Sequence, residues 1–133
     1  MRENPIPALH REAFNASMAA LCAGDQGKYS DMRDLLFANQ RTLNVDSMKS
    51  FAQTIGLDTA AFNECLDSGK YRQRVTDDIA GGAKLGVKGT PGFLIGRTDP
   101  EDPDKANLTV FIRGAQSLDN FKRAIDGLLE PAD

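Results

Sequence analysis

Two cysteines, one histidine and a proline set between glycines are the residues of this 133-residue chain with chemistry to offer. Cys22 and Cys65 stand too far apart for a Cys-x-x-Cys redox pair and are too few for a disulfide scaffold. A nucleophilic thiol needs a depressed pKa, most readily at the start of a helix, and neither cysteine has that placement. Each falls on the inward face of an expected helix, which fits two buried thiols acting as small hydrophobes or a bridge between the two segments. His10 has the side chain for acid or base work near neutral pH. Without a partner nearby in sequence it reads as a solvated or capping residue. A single histidine beside two distant cysteines gives no transition-metal ligand set, so no catalytic residue, metal or cofactor is expected. The acidic stretch Asp99 to Asp104 resembles a Ca²⁺ loop in composition, but Pro100 and Pro103 break the ligand spacing.

The remaining candidate is VKGTPGFLIG, residues 87–96, where Pro91 stands at the mouth of an apolar run. Proline cannot donate a ladder hydrogen bond and belongs at a strand's first residue, an edge or a bulge. Read from the residues alone, Thr90-Pro91 either starts a strand in the trans form or makes a tight cis turn. Gly89 and Gly92 on either side would let the backbone turn and let another chain approach.

The elements that must hold these residues divide into a helical part, 1–86, and a mixed tail, 87–133. Phe14, Met18, Leu21 and Cys22 recur at helical spacing from about Ala8 to Ala23, with Ala13, Ala16 and Ala20 as a second, small-residue face. A helix from Gln26 to Asn39 carries Tyr29, Met32, Leu35 and Leu36. Asp46 is the expected N-cap of a third helix with Met48, Phe51, Ala52 and Ile55 inward, and Asp58 caps a fourth that ends at Gly69. A fifth runs from Lys70 to Leu85 with Tyr71, Val75 and Ile79 inward and Gly86 at its end. Beyond Gly86 the pattern becomes extended. Gly92–Gly96 and Leu108–Arg113 read as an antiparallel pair joined by the solvated loop RTDPEDPDKAN. Ser117 then caps a last helix whose stripe of Leu118, Phe121, Ile125, Leu128 and Leu129 should cover one face of the hairpin. The expected class is α+β, mostly helical. Two strands alone are marginal and leave both edges open, and the apolar composition of LTVFIR and GFLIG suits strands inside a larger sheet.

Composition narrows the partners. Apolar residues at 41% and charged residues at 26% are ordinary for a globular protein, and a net charge of -3 with scattered basic residues argues against nucleic acid. No run approaches the ~18 apolar residues of a membrane span. The N-terminal MRENPIPALH shows no signal peptide.

Three blocks in order, CAGDQGKYSDMRDLLFANQ, FNECLDSGKY and GVKGTPGFLIG, followed by a hairpin and a helix, resemble the DsbA-like branch of the thioredoxin superfamily over most of the chain. The resemblance implies an incomplete thioredoxin-like fold: the helical insertion, the hairpin and the last helix, with the half that bears the redox Cys-x-x-Cys absent. It implies that Thr90-Pro91 is the cis-proline loop that meets an extended substrate, with Gly89 and Gly92 beside it, and that the parent enzyme is a thiol:disulfide oxidoreductase of exported, periplasmic proteins. A structural Cys22–Cys65 disulfide would suit that oxidising compartment. This chain by itself is expected to be inactive, its partners an extended peptide or unfolded exported protein, and its open strand edges are expected to make a homodimer. The alternative expectation is a redox-dead peptide- or protein-binding module that uses the hairpin edge.

Overall fold

A computed structural model describes residues 2–6 and 11–129, which form six helices and one two-stranded antiparallel sheet. Two compact units divide the chain, Met1–Leu85 and Gly86–Asp133.

In the first unit, α1 (Ala13–Gly24), α2 (Tyr29–Ala38), α3 (Val45–Thr54), α4 (Thr59–Ser68) and α5 (Arg72–Lys84) pack around α1, which touches each of the other four. Its alanines make that possible: Ala19 and Ala23 are wholly buried and Ala20 nearly so, and a methyl-sized surface lets neighbouring backbones come close. Phe62, Met32, Met48, Val75 and Cys22 are the largest fully buried side chains. Burial of one such side chain stabilises the fold by about 1.5–3 kcal/mol. Their sources, α4, α2, α3, α5 and α1, show one core shared by all five helices.

Several boundaries differ from the sequence expectation, each for a local reason. The third helix is capped by Asn44 rather than Asp46: its Oδ1 accepts the Ser47 N–H at 2.8 Å, and Ser47 Oγ accepts the Asn44 N–H at 3.0 Å. This reciprocal box satisfies two donors, and Asp46 lies in the first turn instead. Asp58 caps α4 as its position suggests, with Oδ1 accepting from the Ala60 and Ala61 N–H groups, and Gly69 ends that helix at φ 67°. The second helix starts at Tyr29 and not Gln26, because Gly27 turns the chain at φ 73°. The fifth starts at Arg72, with Tyr71 at its N-cap, half-buried and packed against the core as Val75 and Ile79 are. Asp78 is a buried position in α5 that apolar periodicity misses. The expected first turns of α1, with His10, lie outside the described residues.

In the second unit, β1 (Gly92–Thr98) pairs with β2 (Ala106–Arg113), and α6 (Leu118–Leu129) packs on β1. The strands are longer than their apolar cores. Arg97, Thr98, Ala106 and Asn107 belong to the ladder, and the expected long loop shrinks to a turn closed by Asp99 N–H donating to the Lys105 carbonyl at 2.9 Å. Asp99 and Asp102 hold that turn by accepting the N–H groups of Glu101 and Asp104, the ordinary use of aspartate in turns. A bulge follows Ile95: Ile95 faces Val110 and Gly96 faces Leu108. A Cβ on Gly96 would sit 1.9 Å from the Asn107 carbonyl oxygen, so only glycine fits there. Ser117 Oγ accepts the Asn120 N–H at 3.4 Å at the start of α6, and Phe121 meets Phe93 edge to face at 4.8 Å. The α6 stripe covers the hairpin only in part. Leu118, Ile125 and Leu129 are 75%, 43% and 69% exposed.

Candidate functional site

The sequence candidates fall into the two units. In the second, the Thr90–Pro91 peptide bond is cis, and Gly89, Thr90, Pro91 and Gly92 are all exposed at the entrance to β1. The two glycines do not act alike. Open space surrounds Gly89, and neither residue has a positive φ, so no turn there requires glycine. A Cβ on Gly92, by contrast, would come within 3.2 Å of Val87 Cγ1 and 3.3 Å of Phe111. Its lack of a side chain lets the chain fold against those two residues.

The Pro91 carbonyl accepts the Gly114 N–H at 2.8 Å, which fixes the phase of the ladder. In an antiparallel pair, alternate residues direct their backbone groups to the partner. Pro91, Phe93 and Ile95 therefore bond toward β2, while Gly92 and Leu94 aim their N–H and C=O groups to the other side. No strand occupies that other side among the described residues. The arrangement offers one further extended segment a place beside the proline.

In the first unit Cys22 and Cys65 are joined, S–S 2.04 Å, linking α1 to α4. Cys22 is 1% exposed and Cys65 half-buried. Sequence reading missed the polar cluster beside them. Asp25 accepts from Lys70 Nζ at 2.8 Å and from the Tyr71 hydroxyl, and its Oδ2 lies 3.9 Å from Cys65 Sγ. The Lys70 hydrogen bond, reinforced by Tyr71, holds the Asp25 carboxyl below its ordinary range, and the same contacts raise the Lys70 ammonium and the Tyr71 phenol. The signal was present in the spacing. Asp25 lies three residues after Cys22 and so shares its helix face, and Lys70 follows Cys65 across the Gly69 turn.

A second polar network ties the N-terminal residues to the helices. Tyr29 donates to Glu3 Oε1 at 2.6 Å, the Glu3 N–H donates to Asp78 Oδ2 at 3.1 Å, and Arg74 Nε lies 3.7 Å from the same oxygen. Burial, then the Glu3 carboxylate, pushes the Tyr29 phenol up. No group of three or more metal-ligating side chains occurs among the described residues, and none of their helices is long and apolar enough to cross a membrane.

Residues 3–126 match the family described as DSBA-like thioredoxin domain. Among curated proteins, the chain is 35% identical over 94 residues to the Na(+)/H(+) antiporter NhaA 1 of Salinispora arenicola, covering 71% of this chain and 14% of that protein. It is 32% identical over 110 residues to the Na(+)/H(+) antiporter NhaA 1 of Mycobacterium sp. strain KMS, covering 80% of this chain and 18% of that protein. The chain thus spans less than a fifth of the length of these relatives. No solved structure matches it.

Proposed function

The chain belongs to the DSBA-like thioredoxin domain family, and from that premise we propose that it is the substrate-facing part of a thiol:disulfide oxidoreductase acting on exported proteins in the periplasm. The observation that carries the proposal is the outward-facing backbone of Gly92 and Leu94, directly after the exposed cis Thr90-Pro91 bond. An extended peptide would add to that edge as a strand, main-chain hydrogen bonds giving affinity. Thr90 and Pro91 would face its sulfur-bearing segment, while Gly92 keeps the approach low. Both cysteines of the chain are committed to one disulfide. A Cys-x-x-Cys, which these residues lack, would have to come from elsewhere, and the chain alone should neither reduce insulin nor oxidise dithiols.

The test is binding and turnover measured together. An unfolded, cysteine-containing peptide should bind and protect the Gly92 and Leu94 amides from hydrogen exchange, with no turnover in the insulin assay. Turnover, or binding that leaves those amides unprotected, overturns the reading.

The same open edge suits a second reading: a redox-dead module that holds a partner protein through it. A second copy of the chain is one such partner, and an edge-paired homodimer is the form it would take. Protection of the same amides that grows with protein concentration, in the absence of peptide, distinguishes self-pairing from peptide capture.

A further inference from the structure

The Cys22–Cys65 bond opens onto a cleft in the first unit lined by Asp25, Glu64, Ser68 and Lys70 as well as by the two cysteines. We propose that this disulfide is a thiol-exchange site entered only at Cys65, and that the carboxylates of Asp25 and Glu64 restrict it to neutral or cationic small thiols. The inference stands on the helical unit alone and does not depend on the peptide-binding reading of the proline loop.

Access decides the point of entry. Cys22 is 1% exposed on the inward face of α1, among Met18, Ala19 and Ala23, whereas Cys65 is half-buried on α4 at the cleft. Of the two cysteines that line the cleft, Cys65 is the more exposed, so an incoming thiolate meets it first. Attack forms a bond from the reagent sulfur to Cys65 and breaks the Cys22–Cys65 bond. The electron pair goes to Cys22 Sγ, which takes a proton from water because its apolar surroundings disfavour a thiolate. A second reagent thiolate then attacks the reagent sulfur of the mixed disulfide. The reagent leaves oxidised, Cys65 leaves as a thiolate, and the cysteine pair has gained two electrons.

Charge decides which reagent succeeds. Asp25 Oδ2 is 3.9 Å from Cys65 Sγ, and Glu64 adds a second carboxylate to the same wall. Among the described residues lining the cleft, one cation, Lys70, faces them, and it is already engaged by Asp25 at 2.8 Å; Tyr71 adds a neutral hydroxyl to that carboxylate. An anionic thiol meets net repulsion at the point of attack, and a cationic one does not. Opening the bond does not release the helices. Gln26 and Asp58 join the same two elements by a separate pair of hydrogen bonds, and Phe62 of α4 stays in the core.

The test uses the intact chain and three small thiols of different charge: cysteamine, mercaptoethanol and mercaptoethanesulfonate. Reduction is followed by acid quench, alkylation and mass spectrometry, with each rate corrected for the reagent's thiolate fraction. Cysteamine should be fastest and the sulfonate slowest, differing by about tenfold or more at low salt, and the spread should narrow at high salt. Mixed disulfides trapped early should map to Cys65. Asp25→Asn should speed the sulfonate relative to mercaptoethanol by about tenfold; should that variant not fold, Glu64→Gln, at an exposed position, should shift the order the same way. Equal rates for the three thiols, mixed disulfide on Cys22, or reduction no faster than global unfolding would each overturn the proposal.

Discussion

Gln26 and Asp58 exchange two hydrogen bonds across the helical unit: Gln26 Nε2 donates to the Asp58 carbonyl at 3.2 Å, and the Asp58 N–H donates to Gln26 Oε1 at 2.9 Å. One side chain thereby imitates a strand partner for the backbone just ahead of α4. The same Asp58 caps that helix, so the residue joining α1's exit to α4's entry also fixes where α4 begins. Gln26→Ala should lower stability by about 1 kcal/mol in urea unfolding, and Asp58→Ala by about 1 kcal/mol through the lost cap. Since Asp58 keeps its backbone N–H and carbonyl in the alanine variant, the two losses should add nearly independently. A coupling above about 1 kcal/mol in the double variant would show that cap and clamp are one device.

Gly96 and Gly127 make opposite predictions for the same substitution. At the β1 bulge, a Cβ on Gly96 would collide with Asn107 backbone, whereas Gly127 in α6 has nothing within 4 Å. Gly96→Ala should abolish the β1–β2 ladder, seen as loss of amide protection over both strands with the helices of the first unit unchanged. Gly127→Ala should stabilise α6 by about 0.5–1 kcal/mol, the ordinary cost of glycine inside a helix.

These two glycines also show what the sequence could convey. The helical stripes were legible because Met32 and Leu36, Met48 and Ala52, and Phe62 and Leu66 each stand one helical turn apart on a buried face, and Asp58 and Gly69 mark a helix's ends by local chemistry alone. The family was legible as a resemblance, carried by three sequence blocks in order with a hairpin and a helix after them. Gly96 was not legible: its need for glycine arises from a strand partner placed by register, which composition does not encode. The extra strand residues failed similarly, since Arg97, Thr98, Ala106 and Asn107 are polar and read as loop, yet join the ladder because the Asp99–Lys105 turn closes early. Asp46 lost the cap to Asn44 because only Asn44 has Ser47 three residues on to complete the box. Asp25 and Asp78 were passed over for another reason. Their partners Lys70, Tyr71 and Glu3 come from distant segments, and a stripe read for apolar residues passes over a carboxylate that the fold has paired.

Both tyrosines donate to carboxylates, Tyr29 to Glu3 and Tyr71 to Asp25, and both phenols are raised in the folded chain. The unfolded chain ionises its tyrosines near the ordinary value of about 10. A group raised on folding contributes stability that is present below that pH and lost as pH rises through the folded value. Ultraviolet titration should therefore find little tyrosinate at the ordinary phenol value, with ionisation arriving together with loss of helix. Asp25 runs the other way. Its folded value is depressed, so its contribution is present above the unfolded carboxylate value of 3.8 and fades as pH falls below it. The stability gap between the native chain and Asp25→Asn should be constant near neutrality and narrow below that value. A gap that widens on acidification would place the effect on another group.

The disulfide's weight in stability follows from the chain it closes. Cys22 and Cys65 are separated by 43 positions, and tying such a loop removes denatured-state entropy equivalent to about 4 kcal/mol in the chain-entropy description. Replacing both cysteines by serine should lower the urea midpoint of the helical unit by a corresponding amount. Cys22→Ala with Cys65→Ser should cost less, because Cys22 is buried among apolar side chains and a serine hydroxyl there would lack water. The comparison separates two contributions that a single replacement confounds. If the bridge acts through the unfolded chain, both double variants fall by the common loop term, and they differ only by the penalty of burying a hydroxyl at position 22. Equal midpoints for the two variants would mean that the pocket around Cys22 relaxes to admit water. A loss well below about 2 kcal/mol in both would mean that the unfolded chain already keeps α1 near α4 without the bond.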